Sequence, residues 1–198
     1  QVDWGFEVAT TQGNFYANMV VNSAGLYADR IAAMASLDQP QLHPCRGEYL
    51  VLDKGCRGLI NGMVYPVPPK IAGVLGVHLT PTIEGNLLIG PSEEFIDELE
   101  DTSTTERKIL QLMAEAKELL PRIPFDAVIC AFSGIRPKIT PPEEKEARDF
   151  IIQEDLEGFI NLIGIESPGL TASPAIAKMV VQRVVEKRGM REKKHFNP

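Results

Sequence analysis

Gly158–Val180, GFINLIGIESPGLTASPAIAKMV, is the stretch that decides the fold. Behind Gly158, the β-branched and aromatic run Phe159–Ile165 predicts a strand. Glu166–Ser173 holds Pro168 and Gly169 and predicts a loop, and Pro174–Arg188 predicts a helix that stops at Gly189. Thr171 and Ser173 are candidate N-caps, and Pro174 suits a first helical turn. Small residues let a ligand approach the backbone, while a helix N-terminus offers unpaired N–H groups and a partial positive charge. The expected occupant is an anion, or an electron-rich ring that gains negative charge.

Val20–Ala32, VVNSAGLYADRIA, shows a shorter version of the pattern, with a strand passing through Ser23-Ala24-Gly25 into a helix. Before it, Trp4–Thr10 and Asn14–Asn22 predict two strands joined by the hairpin signal Gln12-Gly13-Asn14. Pro40–Pro44 breaks the pattern. From Arg46 to Ile89, EYLVLD, GLING, MVYPVP, GVLGVHLTPT and NLLIG read as short strands, with Glu84-Gly85-Asn86 as a turn, and predict an antiparallel sheet. Ser103-x-x-Glu106 has the form of a capping box ahead of an apolar helical face from Ile109 to Leu120, closed by Pro121 and Pro124. Asp126–Ser133 and Phe150–Gln153 predict further strands, the second followed by a turn at Glu157-Gly158. The fold class expected is therefore α/β (α+β). A doubly wound domain is split between residues 1–39 and 142–198, and a mostly antiparallel domain, 40–141, is inserted between its parts.

A chain of 198 residues, 44% hydrophobic and 24% charged, has the composition of a soluble globular protein. Its formal net charge of -7 argues against a nucleic-acid partner, which needs clustered Lys and Arg. The basic run Lys187–Lys194 reads as a solvated helix end. No apolar run of about 18 residues or more predicts a transmembrane helix, and no signal segment opens the chain. Cys45, Cys56 and Cys130 lack CxxC spacing and read as reduced, structural thiols of a cytoplasmic protein. No His/Cys/carboxylate spacing points to a metal.

Arg136, after Ser133-Gly134 and before Pro137, is placed to pair with a carboxylate or phosphate. The competing reading is a structural salt bridge. His78 lies in GVHLT, where alternation puts it on one strand face with Gly76 and Thr80. Imidazole suits proton abstraction near neutral pH, although a packed or edge histidine is the plainer alternative. Arg46 and Tyr49, in RGEY, are candidates for a ligand pocket, against a surface arginine and a half-buried tyrosine. Ser167 and Ser173 have no histidine partner and no nucleophile elbow, so serine chemistry is not expected. His43 falls in a proline-bounded linker and His195 in the basic tail.

In their order and spacing, VVNSAGLYADRIA, RGEYLVLD, YPVP, GVLGVHLTPTIEGNLLIGP, FSGIRP and DFIIQED…GFINLIGIESPGLTASPAIA resemble one group of enzymes. These are the FAD-dependent oxidoreductases of the D-amino-acid-oxidase/glycerol-3-phosphate-dehydrogenase superfamily. The resemblance covers nearly the whole chain and implies hydride transfer from a C–H bond, next to a hydroxyl or amine, to flavin. It further implies that Arg136 holds the substrate's anionic group and that His78 is a base or an oxygen-side hydrogen-bond partner, with Arg46 and Tyr49 kept as the other substrate-binding candidates. Ala24, Gly25, Gly164, Ile165, Glu166, Pro168, Gly169, Leu170 and Thr171 would line FAD, with the helix N-terminus stabilising the anionic reduced ring. GVHLTPTIEGNLLIGPSEE looks closer to glycerol-3-phosphate dehydrogenases of anaerobic bacteria, whereas RGEY and GVHLT are shared with the L-2-hydroxyglutarate branch. Amine and amino-acid oxidases, and a non-catalytic binding module on the same fold, complete the alternatives.

The strand–G-x-G-x-x-G–helix fingerprint and its ribose-binding acid are absent. The chain is therefore expected to be a C-terminal fragment that binds FAD weakly or not at all alone. Its expected partners are a small anionic substrate and the N-terminal half of its own FAD domain. Peripheral contact with a membrane or an electron acceptor stays open.

Overall fold

The computed structural model describes residues 5–67, 76–144 and 146–189. In chain order it places β1 (Phe6–Thr10), β2 (Gly13–Ala17), β3 (Val20–Asn22), a 3-10 turn at Gly25–Tyr27 and α1 (Ala28–Met34). Next come β4 (His43–Leu52), β5 (His78–Pro81), β6 (Leu87–Gly90), β7 (Glu94–Phe95) and α2 (Glu106–Leu119). The remainder is β8 (Val128–Lys138), β9 (Ile151–Leu156), β10 (Phe159–Ile163) and α3 (Gly169–Arg188). This is a mixed α/β chain, in agreement with the sequence.

Among the described residues the strands form three sheets. β1 and β2 make an antiparallel hairpin. β3 runs parallel to β10, whose other edge takes β9 in antiparallel register, so this small sheet draws on both ends of the chain. Between them lies the order β5-β6-β4-β7, with β8 on the other edge of β4 and every pairing antiparallel. Leu50, Leu52, Leu79, Leu87 and Ile89 alternate onto one face of this larger sheet and bury against Leu112 and Ala116 of α2. A second core joins Ala28 and Ala32 of α1 to Leu42, Ile139 and Ile163, and a third packs Ile160 against Ile176 and Val180 of α3.

Several local predictions change. The run Asn14–Asn22 is two strands, because β2 pairs with β1 whereas β3 leaves to pair with β10. The linker at Pro40–Pro44 ends inside β4, where Pro44 faces Pro137 and the two missing N–H groups fall at one rung, and His43 opposes Lys138. GLING lies in turns and bends, and among the described residues of MVYPVP only Val64 bridges, to Leu79, its Pro68 lying outside them. Gly73–Leu75 of GVLGVHLTPT and His195 lie outside the described residues, as does most of the basic run. β8 continues through Gly134-Ile135-Arg136, so Arg136 sits within a strand. Thr105, not Ser103, caps α2, accepting from Lys108 N at 3.3 Å.

α3 starts five residues before Pro174, and neither Thr171 nor Ser173 caps it. Proline deprives the Leu170 carbonyl of its usual donor, and Ser173 Oγ donates to that carbonyl at 2.8 Å. This local substitution lets the helix run through Pro174. At the far end Gly189 adopts φ 58, the left-handed stop foreseen in the sequence.

Candidate functional site

Two loops meet where the parallel strands end. β3 and β10 run in the same direction side by side, so Ser23–Gly25 and Gly164–Pro168 leave from one carboxyl edge, where α/β sheets bind ligands. Asn22 organises the first loop: its Nδ2 donates to Ala28 O at 2.7 Å and Asn161 Oδ1 at 2.9 Å, while its Oδ1 accepts from Ala24 N. Gly25 follows with φ 57 and open space before its Cα, so backbone rather than side chain faces the edge.

In the second loop, Gly164 (φ 71) packs so closely on Ile139 that a Cβ there would overlap the isoleucine side chain. Glu166 O accepts from Gly169 N, and Pro168 O from Ala172 N at 3.0 Å. No side chain caps α3, so the Leu170 and Thr171 N–H groups remain available to a ligand. The predicted residues Ala24, Gly25, Gly164, Ile165, Glu166, Pro168, Gly169, Leu170 and Thr171 thus share one edge of the small sheet.

The larger sheet carries the other candidates. Directly opposed antiparallel residues point to the same side. Cys45 opposes Arg136, Gly47 opposes Gly134, and Tyr49 opposes Phe132, with the last two rings stacked 5.2 Å apart. Arg136 Nη2 donates to Ser92 O at 3.2 Å and Cys45 Sγ at 3.3 Å, and lies 3.6 Å from where a Cβ on Gly47 would sit. His78 opposes Gly90, and the Tyr49 ring covers Gly90 so closely that a Cβ there would strike it. Tyr65 flanks His78, with ring centroids 5.5 Å apart. One face therefore runs from Arg136 over Gly47 and Tyr49 to Gly90 and His78, with neighbouring groups packed onto Gly47 and Gly90 and open space above Gly134.

Electrostatics and unmet hydrogen bonds mark the same face. Burial pushes the Tyr49 phenol above its ordinary value, and the Arg136 charge draws it partly back. The Cys45 thiol behaves likewise: burial raises it first, and Arg136 opposes the rise. Among the described residues, four buried side-chain atoms lack a hydrogen-bond partner: Arg46 Nε, His78 Nδ1, Ser133 Oγ and Arg136 Nε. Two of them belong to this face. Unpaired buried polar groups cost about 1–3 kcal/mol each, so they are rare without a ligand or functional reason.

Arg46 is not brought to this face. Alternation turns it to the α2 side, where it is buried, donating to Glu94 Oε2 at 2.8 Å, Asp101 Oδ2 at 2.6 Å and Ser103 Oγ at 2.9 Å. The carboxylates already neutralise it, which corrects its expected place among the substrate-binding residues.

Other residues of the site were not singled out in the sequence. Ser92 clamps the sheet: its Oγ accepts from Glu48 N at 3.0 Å, its N–H donates to Glu48 O, and its carbonyl receives Arg136. Nothing local in Pro91-Ser92-Glu93 signals that role. Asn22 and Asn161 do have a signal, because each interrupts an apolar strand run that predicts burial.

A family model described as FAD dependent oxidoreductase (DAO) matches residues 2–183. The chain belongs to this family. Among its relatives, a glycerol 3-phosphate dehydrogenase of Caloramator mitchellensis is 36% identical over 99% of the chain and 40% of its own length. A mitochondrial L-2-hydroxyglutarate dehydrogenase of Arabidopsis thaliana is also 36% identical, over 88% of the chain and 39% of its length. The dithionite-reduced L-α-glycerophosphate oxidase of Mycoplasma pneumoniae, with FAD bound, superposes with TM-score 0.78 at 29% identity, covering 95% of this chain and 47% of that one. The chain thus spans less than half the length of these relatives. Among its described residues, no helix of this family member is long and apolar enough to cross a membrane.

Proposed function

We propose that this chain supplies the substrate-binding sheet and the closing flavin-site loops of an FAD-dependent dehydrogenase acting on a small anionic hydroxy compound, with glycerol 3-phosphate as the first choice. The observation that carries the reading is the single sheet face holding Arg136, Tyr49 and His78, with buried Arg136 Nε and His78 Nδ1 unpartnered. Neighbouring open N–H groups and the bare Gly25 backbone fit the electron-rich ring and phosphate-bearing tail of FAD. Ala24, Gly25 and Gly164–Thr171 are the residues that would hold it, and bound FAD supplies the hydride acceptor.

The chain's own residues do the rest. Arg136 holds the substrate anion, with Nη2 fixed on Ser92 O so that the guanidinium plane is set before binding. His78 takes the hydroxyl proton on a ring nitrogen as hydride leaves the adjoining carbon. The Tyr49–Phe132 stack supplies an aromatic surface on the same face. Residues 1–39 and 142–198 form the flavin side and 40–141 the substrate side, in the cytoplasm, completed by an N-terminal half of the FAD domain.

L-2-hydroxyglutarate is the second reading, favoured by the equal identity of its dehydrogenase and by an anion that Arg136 suits equally well. The test is dye reduction by the full-length flavoprotein containing this chain, with each substrate in turn. Turnover of glycerol 3-phosphate is expected. Activity confined to L-2-hydroxyglutarate replaces the first choice, and activity confined to amines replaces both. No turnover, with Arg136→Ala changing only the melting temperature, leaves a binding module.

A further inference from the structure

Lys138 is a buried cation that the proposed chemistry does not use. It lies two residues beyond Arg136 on β8 and therefore on the same face. Its ammonium sits 3.3 Å from Glu93 Oε1 and 3.8 Å from Glu166 Oε2, with the side chain only 8% exposed. Glu166 belongs to the loop that opens α3. Glu93 follows Ser92, whose carbonyl holds Arg136, and the Glu93 carbonyl accepts from Lys108 Nζ of α2 at 2.7 Å. The next residue, Ile139, fills the space that Gly164 leaves by lacking a Cβ. The end of β8 thus touches the loop twice, once by charge and once by packing.

A lone buried ammonium is strongly unfavourable, so Lys138 is retained where two carboxylates surround it. Remove it, and Glu93 and Glu166 face one another without a counter-charge, beside N–H groups that await an electron-rich ligand. Like charges there push Glu166 outward and take the loop with it.

We propose that Lys138 is a positioning residue: it pins the Gly164–Thr171 loop to the strand that carries Arg136, and so sets the flavin loop against the bound substrate. This rests on the reading of the site given above. The strand makes the linkage rigid, because Arg136 and Lys138 share one β8 backbone and one anchoring segment, Ser92–Glu93.

The test uses the full-length flavoprotein with Lys138→Met, Lys138→Arg and Glu166→Gln, reading FAD dissociation by flavin fluorescence, kcat and KM by dye reduction, and melting temperature. Lys138→Met is expected to loosen FAD about tenfold and lower kcat, with KM within about twofold of wild type because Arg136 is untouched. Lys138→Arg restores both, and Glu166→Gln loosens FAD in the same sense. Unchanged FAD affinity and kcat in Lys138→Met, whatever the melting temperature does, overturns the proposal. So does a KM rise as large as that of Arg136→Ala, which would make Lys138 a substrate contact. If Lys138→Met does not fold, Lys138→Gln, which keeps a polar side chain beside the two carboxylates, is read on the same flavin fluorescence and kcat, and unchanged values overturn the proposal. A wild-type protein that holds no FAD removes the underlying function as well, and so separates the two failures.

Discussion

Arg136 shows how a residue can be fixed and yet available. Its Nη2 is tied to Ser92 O and Cys45 Sγ, while its Nε is buried and has no partner. Replacing it with Ala in the full-length enzyme removes the charge that meets the substrate anion. Steady-state kinetics should show kcat/KM falling by roughly 30- to 5,000-fold, equivalent to about 2–5 kcal/mol, with little change in melting temperature. Gly164 makes an opposite kind of prediction. Ala there must adopt φ 71 and overlap Ile139, so Gly164→Ala should cost about 2–4 kcal/mol in denaturant unfolding. Adding Ile139→Ala, which removes the overlapping atoms, should make the pair less destabilised than the sum of the single changes. Arg136, His78 and Tyr49, which share a sheet face, could be singled out as candidates in sequence because strand alternation and residue type are local properties. The facing of Arg46 was not legible. Its partners Glu94, Asp101 and Ser103 lie about 50 residues away, and no local pattern announces them.

At the scale of elements, α2 is fastened at its first turn. Thr105 N donates to Glu48 Oε2 at 2.8 Å and Thr105 Oγ1 to Glu48 Oε1 at 2.9 Å, so a buried strand carboxylate meets the positive end of the helix. Thr105→Ala should lower unfolding stability by about 1–2 kcal/mol, measured by denaturant titration. The sequence pattern pointed to Ser103 instead, because a capping box reads spacing alone, whereas Ser103 Oγ is occupied by Arg46. Glu94, which pairs with both Arg46 and Arg107, gives this region a pH signature. The hydrogen bond from Arg46 holds the Glu94 carboxyl below its ordinary value. A depressed carboxyl contributes fully above the unfolded-state value near about 4.3, and that contribution fades as pH falls toward the lower folded-state value. Melting temperature should therefore drop less steeply on acidification from about pH 5 in Glu94→Gln than in wild type. The start of α3 was placed late in sequence for a related reason. Pro174 looks like a first-turn residue, and only the Ser173 hydroxyl on the Leu170 carbonyl shows how the helix passes it.

Across the whole molecule, the order of strands and helices was largely legible because hydrophobic period and Gly/Pro punctuation are written locally. The partnership of β3 with β10 was not legible in sequence, since register and parallel sense depend on packing that no short window contains. That pairing has a kinetic consequence. Asn22 and Asn161 hydrogen-bond across 139 positions, so the small sheet is a late, non-local closure. The antiparallel strands between them form from nearer contacts and bring His43 opposite Lys138. Once they do, only the stretches 22–43 and 138–161 remain to be closed, about a third of the original separation and worth about 1 kcal/mol of closure entropy. Pulse-labelled amide exchange during refolding should protect β4, β6 and β8 before β3 and β10. On the ribosome, β3 must wait for its parallel partner until the 139 positions between Asn22 and Asn161 have emerged. A parallel partner this distant in sequence leaves β3 dependent on a strand synthesised much later, and exposes it meanwhile to chaperones and to wrong neighbours.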